Sequence, residues 1–317
     1  MITPDLPLYV ERVNFAIVPP ARLEDATLYV FPIPSRLDRQ QHLCEVILNA
    51  PSNGVCDYRA LHPFVLLIFA RYERVEKAVY PSGVGLSVPW ENENSGYARY
   101  HAAGISIFMA DANSRDDDKE LVLFPFCTFV DHGASISGTR ELQGWSTETA
   151  MLQIPEADDL AGGKFILTCP VIKTFGPNSM ATVEKLIQLE KVSESTAKPI
   201  ENSFRDSLTR IWENALSTAA DYLTIWLVSL KQFPDVAHPT RACYQAGVET
   251  NVESPKNKGR RWSALEGRYQ LRILAADSHP LIAELGLDVE AFSGLEGFCL
   301  RADEFRVNPG KELWRAP

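Results

Sequence analysis

The stretch FVDHGASISGTRELQGWSTETAM, from Phe129 to Met151, is the most informative part of this chain for its fold. It starts at the end of an apolar run and continues into a short polar loop, DHG. An Arg140–Glu141 pair follows, and then a turn from Gly144 to Thr147. This order predicts a strand, a loop, and a second strand that the Arg–Glu pair enters.

Short apolar runs punctuated by proline, glycine and asparagine precede this stretch, and their length and branching predict strands. They read ATLYVFPI, HPFVLLIFARY, GISIFMA and LVLFPFCTFV. Residues 65–70 and 121–130 are almost continuously apolar, which indicates strands covered on both faces, as in a barrel or a sandwich. The acidic residues 111–120 between two such runs predict an exposed connection.

The second half of the chain predicts two helices and a hairpin. Residues 180–191 and 201–221 are the predicted helices, and the second carries an apolar stripe at steps of three and four residues. The runs YLTIWLVSLKQF and RACYQAGVETNV flank a proline-containing turn and predict two antiparallel strands.

Composition excludes several classes of function. The chain has 31 basic and 41 acidic residues, a formal charge of −10, which disfavours nucleic acid and anionic membranes as partners. It shows neither an apolar run of the roughly 18 residues a spanning helix needs nor a signal peptide, which predicts a cytoplasmic protein. Its six cysteines lack zinc-site spacing, and no glycine-rich phosphate loop is present. We therefore expect neither a metal nor a cofactor.

The stretch from Phe129 to Met151 resembles the signature of the acetoacetate decarboxylase family. That signature has a strand ending in Asp, a variable loop, Gly-Arg-Glu, then Gly, an aromatic residue, Pro and two adjacent lysines. The corresponding residues here are Asp131, Gly138, Arg140, Glu141, Gly144, Trp145 and Ser146, with Thr139 inserted. The two lysine positions then fall on Thr147 and Glu148.

The resemblance extends from about residue 85 to the end. YHAAGISIFM is similar to a family strand, with His101 and Ala102 in place of an Asn and a Glu, and SLKQFPD, RACYQ and GRYQLRIL match later strands. It implies a family domain over residues 85–317, with residues 1–84 an extension or a diverged half packed on it. The implied fold is mainly β (α+β), an antiparallel closed or conical barrel with peripheral helices, and family members form homo-oligomers.

The family's chemistry depends on a lysine that attacks a ketone to form an imine, activated by burial and by a neighbouring cation. Neither Thr147 nor Glu148 can form an imine. The acid of the family's pocket aligns with Ala102, so a second catalytic group is replaced as well. The resemblance therefore predicts a diverged member that lacks Schiff-base chemistry.

The candidate catalytic residues are Glu148, Arg140 and Glu141. Glu148 is a general base if its site desolvates it, since burial raises a carboxylate's pKa toward neutrality, and otherwise an exposed turn residue. Arg140 and Glu141 match the family, yet such a pair also serves as a structural ion pair.

The candidate binding residues are Tyr100, Ala102, Trp145, Thr147 and His132. If Ala102 faces a pocket, strand alternation places Tyr100 on the same side and the intervening histidine on the other. Trp145 could form an apolar wall, and His132 could shuttle a proton.

Three functional hypotheses follow. The first is an enzyme, a lyase, isomerase or cyclase, acting on a small or polyketide-like carbonyl or carboxylate compound by general acid/base catalysis and hydrogen bonds. The second is a noncatalytic protein that binds a related small ligand. The third retains decarboxylase chemistry through another lysine, with Lys164, Lys173 and Lys231 as nominal candidates.

Overall fold

The computed structural model describes residue 17 and residues 19–77, 97–113, 122–156, 163–192, 222–255, 259–287 and 291–316. Most of this chain is strand, which confirms the predicted mainly β class. The strands form a ten-stranded mixed sheet and a five-stranded antiparallel sheet. No described helix is long and apolar enough to cross a membrane.

In chain order the elements are β1 (Ala21–Pro34), α1 (Leu37–Leu43), β2 (Tyr58–Lys77), β3 (Ala98–Asp111), β4 (Val122–Val130), α2 (Gly133–Ile136), β5 (Thr147–Thr149), β6 (Met151–Gln153), β7 (Lys164–Val171), β8 (Thr182–Val192), β9 (Tyr222–Pro234), β10 (Ala242–Pro255), β11 (Arg261–Ala264), β12 (Arg268–Ile273), α3 (Leu281–Leu285), β13 (Ala291–Leu295), β14 (Phe298–Val307) and β15 (Lys311–Arg315). π-Helical turns continue α1 over Cys44–Asn49 and α2 over Ser137–Leu142, and a 3-10 turn covers Ala50–Ser52.

The large sheet has the order β11-β14-β1-β2-β3-β4-β9-β10-β15, with β5 beside β4. β4 runs parallel to both β5 and β9, so the prediction of an antiparallel sheet is wrong. For β5 the reason is that the helical segment after β4 turns the chain back, so that β5 runs beside the last three residues of β4 in the same direction, from Thr128–Thr147 to Val130–Thr149. β10 also pairs with β14, through Val252–Val307 and Glu253–Arg306. The closed shape expected for the sheet stays a prediction.

The N-terminal strands β1 and β2 lie inside the large sheet, between β14 and β3. They are long, and their pairing runs from Ala21–Lys77 to Pro34–Phe64. The predicted boundary at residue 84 lies outside the described residues, so the two-part division of the chain stays a prediction.

Two predictions for the second half are settled by the strands. β9 and β10 pair antiparallel, which confirms the hairpin. The helix predicted over residues 180–191 is wrong, because Thr182–Val192 is β8, a central strand of the small sheet with order β13-β12-β8-β7-β6. The helix predicted over residues 201–221 lies outside the described residues.

The main core lies between one face of the large sheet and the small sheet. Phe165 of β7 is fully buried, with its ring centroid 5.0, 5.1 and 5.3 Å from those of Tyr29, Phe31 and Phe69. Side chains alternate along a strand. The residues that flank Tyr29 and Phe31 along β1, and Phe69 along β2, therefore point to the opposite face of the large sheet. The candidate site lies on that face.

Candidate functional site

The second face of the large sheet borders a cavity of about 190 Å³. Alternate residues of two neighbouring strands line it, namely Ile68, Ala70 and Tyr72 of β2 and Tyr100, Ala102 and Gly104 of β3. Apolar side chains of the other strands complete the wall, among them Leu23, Leu28, Leu123, Ile225, Leu227, Val252 and Phe305. The intervening residues, such as Phe69 and Ile105, are buried in the main core.

The cavity wall carries no formal charge among its described residues. Its polar groups are tyrosine, serine and threonine hydroxyls, one glutamine amide and one indole. Across the described parts of the chain, no three His, Cys, Asp or Glu side chains are grouped to hold a metal ion. The cavity is therefore a neutral, mostly apolar environment in which each hydrogen bond is strong.

Two tyrosines form the most polar part of the β2–β3 wall. Tyr72 pairs with Tyr100 across the strands, and their ring centroids lie 5.1 Å apart. Burial raises the pKa of Tyr72 to about 12, and burial together with the neighbouring Tyr72 raises the pKa of Tyr100 as well. Both phenols stay protonated at neutral pH and can donate hydrogen bonds.

Three further cavity residues carry buried polar groups. We call Ser135, Gln143 and Trp145 the donor cluster. Ser135 and Gln143 are 3% and 4% exposed. The Gln143 side-chain nitrogen and the Trp145 indole N–H make no hydrogen bond with any described residue, whereas the Ser135 hydroxyl interacts with the phenol of Tyr100. Buried polar groups are normally paired, so the two unpaired donors are candidate contacts for a ligand oxygen.

The local backbone fixes the donor cluster in place. The Trp145 amide donates to the carbonyl of Thr139 at 2.9 Å, and the Ser229 hydroxyl of β9 donates to the carbonyl of Gln143. Gly144 between them has φ +74°, and a Cβ there would lie 2.7 Å from the Cα of Lys231. Only glycine allows the chain to turn this close to β9.

Sequence reasoning found three of the cavity residues. Tyr100, Ala102 and Trp145 all line the cavity. The alternation argument for β3 therefore matches the geometry. His101 lies on the opposite face, where its Nδ1 is 2.6 Å from Oδ2 of Asp131. Burial opposes ionisation of Asp131, but hydrogen bonds from the His101 ring and amide lower its pKa overall.

Thr147 stands at the position that the family resemblance assigns to the imine-forming lysine. It pairs with Thr128 in the parallel β4–β5 ladder, and its side chain is 1% exposed. Paired residues point to the same face of a sheet, and Thr128 lines the cavity. Thr147 therefore points to the same side of the sheet as the cavity, but it is not one of the described residues that line it.

Glu148 does not reach the cavity. As the next residue on β5 it points to the opposite face, where its Oε2 lies 3.3 Å from Nε2 of His279. The Nδ1 of His279 is 2.9 Å from the hydroxyl of Ser278. The Glu148 side chain is 54% exposed, so the desolvated surroundings on which its expected role as a general base depends are missing.

Arg140, Glu141 and His132 also lie away from the cavity wall. The expectation that Arg140 and Glu141 enter a strand is wrong, because both belong to the π-helical turn after α2 and are exposed. His132 precedes α2, and its Nδ1 accepts a hydrogen bond of 3.2 Å from the amide of Ala134. This histidine caps a helical segment in the structure.

The three lysines that the third hypothesis names as nominal candidates lie outside the described cavity wall. Lys164 and Lys173 bond Glu190 and Glu184 at 2.9 and 2.7 Å at the surface. Lys231 lies on β9 with its Nζ 5.2 Å from the ring centroid of Tyr244, and burial lowers its pKa. None of the three lines the cavity.

Sequence reasoning missed Tyr72, Ser135 and Gln143. Strand alternation applied to the run HPFVLLIFARY would have placed Tyr72 on the same face as Ala70. Ser135 and Gln143 lie in the segment interpreted as loop and strand, and no motif distinguishes them. Their place in the cavity depends on the helical path from α2 to β5.

Comparison with known proteins identifies the fold. No family model matches the chain, and no curated protein matches it closely enough to be a recognised relative. Solved structures do match. The acetoacetate decarboxylase of Legionella pneumophila superposes with a TM-score of 0.56 over 98% of this chain and 93% of that enzyme, at 16% identity.

Two further structures agree. One is another acetoacetate decarboxylase, with a TM-score of 0.52 over 93% of this chain and 90% of that one, at 11% identity. The other is the enduracididine biosynthesis enzyme MppR, complexed with the condensation product of pyruvate and imidazole 4-carboxaldehyde. Its TM-score is 0.52, over 95% of this chain and 92% of MppR, at 10% identity. The chain is therefore similar to acetoacetate decarboxylase in fold over nearly its whole length.

Proposed function

We propose that this protein is an acetoacetate decarboxylase-like enzyme that acts on an uncharged, largely apolar carbonyl compound, as a lyase, isomerase or cyclase, without an imine. The observation that carries the proposal is the donor cluster. Gln143 and Trp145 place unpartnered donors beside an apolar cavity whose wall also holds the hydroxyls of Ser135, Tyr72 and Tyr100.

A carbonyl oxygen fits the donor cluster on energetic grounds. Each buried donor left unpaired costs about 1–3 kcal/mol, and a ligand oxygen that accepts its hydrogen bond removes that cost. When the carbonyl enolises, an α C–H bond breaks, its proton passes to water, and the electron pair moves onto the oxygen. Preorganised donors at such an oxygen are each worth about 10²–10³ in kcat.

An imine-free route follows from the residue at the lysine position. Thr147 has no amine, and the described cavity wall contains no lysine. The donors would therefore supply the electron sink that the iminium supplies in the family. In this proposal Tyr72 and Tyr100, whose raised pKa values keep them protonated, donate to the substrate and do not act as bases.

The neutral wall also selects the ligand. A carboxylate moved into this cavity would lose its hydration without gaining a cation among the described residues, which is strongly unfavourable. Pyruvate, whose condensation product MppR holds, carries a carboxylate. We therefore expect the ligand of this chain to differ from pyruvate by lacking charge in the part that enters the cavity.

A matched pair of probes tests the binding step. Isothermal titration at pH 7 compares 2-octanone with octanoate, which have the same length and differ in charge. We expect the ketone to bind at least about tenfold more tightly, and Gln143→Ala to weaken the ketone alone. Octanoate binding as tightly as 2-octanone would refute an uncharged ligand.

Exchange of α-protons tests the chemical step. We expect the protein to accelerate deuterium uptake by 2-octanone in D₂O above the buffer rate, and Gln143→Ala to slow it, as followed by proton NMR. Borohydride added with the ketone should leave every lysine unmodified, and a stable adduct on any lysine would overturn the imine-free route.

A noncatalytic binding protein is the second candidate. The observation that favours it is the absence of a carboxylate, histidine or lysine from the described cavity wall, since no side chain there is suited to take a proton. Tight binding of 2-octanone with α-proton exchange at the buffer rate would establish this function in place of the enzyme.

A further inference from the structure

We propose that a second, polar pocket at the outer end of the β9–β10 hairpin binds the phosphate or carboxylate group of a small anion. This anion pocket has a volume of about 480 Å³. Arg140 and Arg241 are among its lining residues, together with Ser146, Thr240, Gln232 and Gln245. The proposal does not depend on the function assigned to the apolar cavity.

Neither arginine has an ion-pair partner among the described residues. Other surface arginines do, since Arg36, Arg59 and Arg315 lie 2.6–2.8 Å from carboxylate oxygens. In a chain with a formal charge of −10, carboxylates are abundant, so two arginines at one pocket without a described carboxylate partner are unusual. An anion bound beside both arginines would gain favourable Coulomb energy from each.

Three carboxylates on the elements around the pocket, Asp235, Glu312 and Glu141, are engaged with other groups. Oδ1 of Asp235 accepts from the amides of Ala237 and His238 at 2.9 and 2.8 Å. Glu312 bonds Arg315, and the charge of Glu141 acts on Lys231. No acidic residue lines the described part of the pocket, so nothing there neutralises the arginines.

The two arginines belong to two different hydrogen-bonded backbone segments. Arg241 closes the hairpin turn, where its carbonyl accepts from the amide of Asp235 at 2.7 Å and its amide donates to His238 at 2.8 Å. Arg140 belongs to the π-helical turn after α2. At the hairpin, the Gln245 amide donates to Gln232 at 3.0 Å and fixes two further polar groups.

The chemistry of the lining selects the ligand class. A guanidinium offers a planar fork of N–H donors that matches the oxygens of a phosphate or a carboxylate. The hydroxyls of Ser146 and Thr240 and the glutamine amides can donate to the remaining oxygens.

Titration of simple anions tests the proposal. Isothermal titration at pH 7 and low ionic strength uses inorganic phosphate and acetate with the wild type, Arg140→Gln, Arg241→Gln and Arg140→Lys. Arg59→Gln is the control, because it removes the same charge at a site outside the pocket. We expect each glutamine variant to weaken the bound anion at least about tenfold, Arg140→Lys to give partial recovery, and the control to stay within about twofold.

The outcomes separate the sources of the anion. Binding of phosphate alone indicates a phosphorylated ligand, and binding of acetate alone indicates a carboxylate. The proposal is overturned if neither anion binds, or if the glutamine variants bind as the wild type does. Unchanged circular dichroism spectra of the glutamine variants show that they are folded, so the anion result is judged independently of the apolar cavity.

Discussion

Tyr100 illustrates how a single buried hydroxyl is controlled by its surroundings. Its phenol lies at an apolar cavity beside Tyr72, and burial opposes the charged phenolate. The same burial that keeps the phenol protonated makes it a strong hydrogen-bond donor. One physical cause, burial, therefore sets both the hydrogen-bonding capacity of this phenol and its effect on the pH dependence of stability.

Replacing Tyr100 with Phe should make stability less dependent on alkaline pH. An unfolded tyrosine has a pKa of about 10, so below that pH both states hold the proton and the effect is absent. As pH rises from about 10 toward the higher folded pKa, the unfolded state loses its proton first, and stability falls by up to about 1.4 kcal/mol per pH unit. Urea unfolding between about pH 9 and 11 measures the slope.

Tyr97→Phe is the control for this prediction, because Tyr97 is 59% exposed. It should unfold with the wild-type slope. Equal slopes for Tyr100→Phe and the wild type would contradict the assigned cause.

At this scale the sequence predicts cavity residues only where a strand is identified. Period-two alternation places Tyr100 and Ala102 on one face of β3, because strand side chains point to alternating faces. Ser135 and Gln143 follow no such rule. They reach the cavity because a short α-helix and a π-helical turn replace the expected strand, and π-helical turns have a weak sequence signature.

At the scale of elements, the turn from α2 to β5 controls the site. It contains Gly144, whose backbone lies against β9, and the hydrogen bond from Ser229 holds the preceding carbonyl. The indole of Trp145 therefore takes its position from the contact between this turn and β9.

Gly144→Ala should destabilise the protein and move Trp145. Alanine is strained at φ +74°, and its Cβ would clash with the backbone of Lys231, so the free energy of unfolding should fall by at least about 1–3 kcal/mol. Gly133→Ala is the control, because a Cβ there meets nothing within 4 Å, and its effect should stay within about 1 kcal/mol. Urea unfolding compares the two, and equal effects would contradict the account.

The helix wrongly predicted over residues 180–191 shows that tertiary context can override the local helix propensity of a segment. ATVEKLIQLEK is rich in helix formers, yet Leu186, Ile187 and Leu189 are buried in β8 between β7 and β12. Pairing on both sides outweighs a helix propensity worth only a few tenths of a kcal/mol per residue. The β9–β10 hairpin was predictable because strand pattern and turn residues agree there.

On the scale of the whole molecule, the two sheets are held by aromatic packing around Phe165. Its ring contacts Tyr29, Phe31 and Phe69 of the large sheet from the small one. The mixed topology was beyond sequence reasoning, because the parallel β4–β9 pair joins residues about a hundred positions apart and no local pattern encodes it.

Phe165→Ala should lower the free energy of unfolding by about 3–5 kcal/mol, because it opens a void where the sheets meet. Phe175→Ala is the control, since Phe175 is 63% exposed, and its effect should be within about 0.5 kcal/mol. Denaturant unfolding followed by circular dichroism measures both variants. A small effect of Phe165→Ala would show that the sheets are held together in another way.

Trp145 lines both the apolar cavity and the anion pocket. A ligand on one side that turns the indole changes the free energy of binding on the other side. Thermodynamic linkage then requires reciprocity, so the factor by which an anion alters ketone affinity equals the factor by which the ketone alters anion affinity. A shared factor different from one would show that occupancy of one pocket is felt in the other through this side chain.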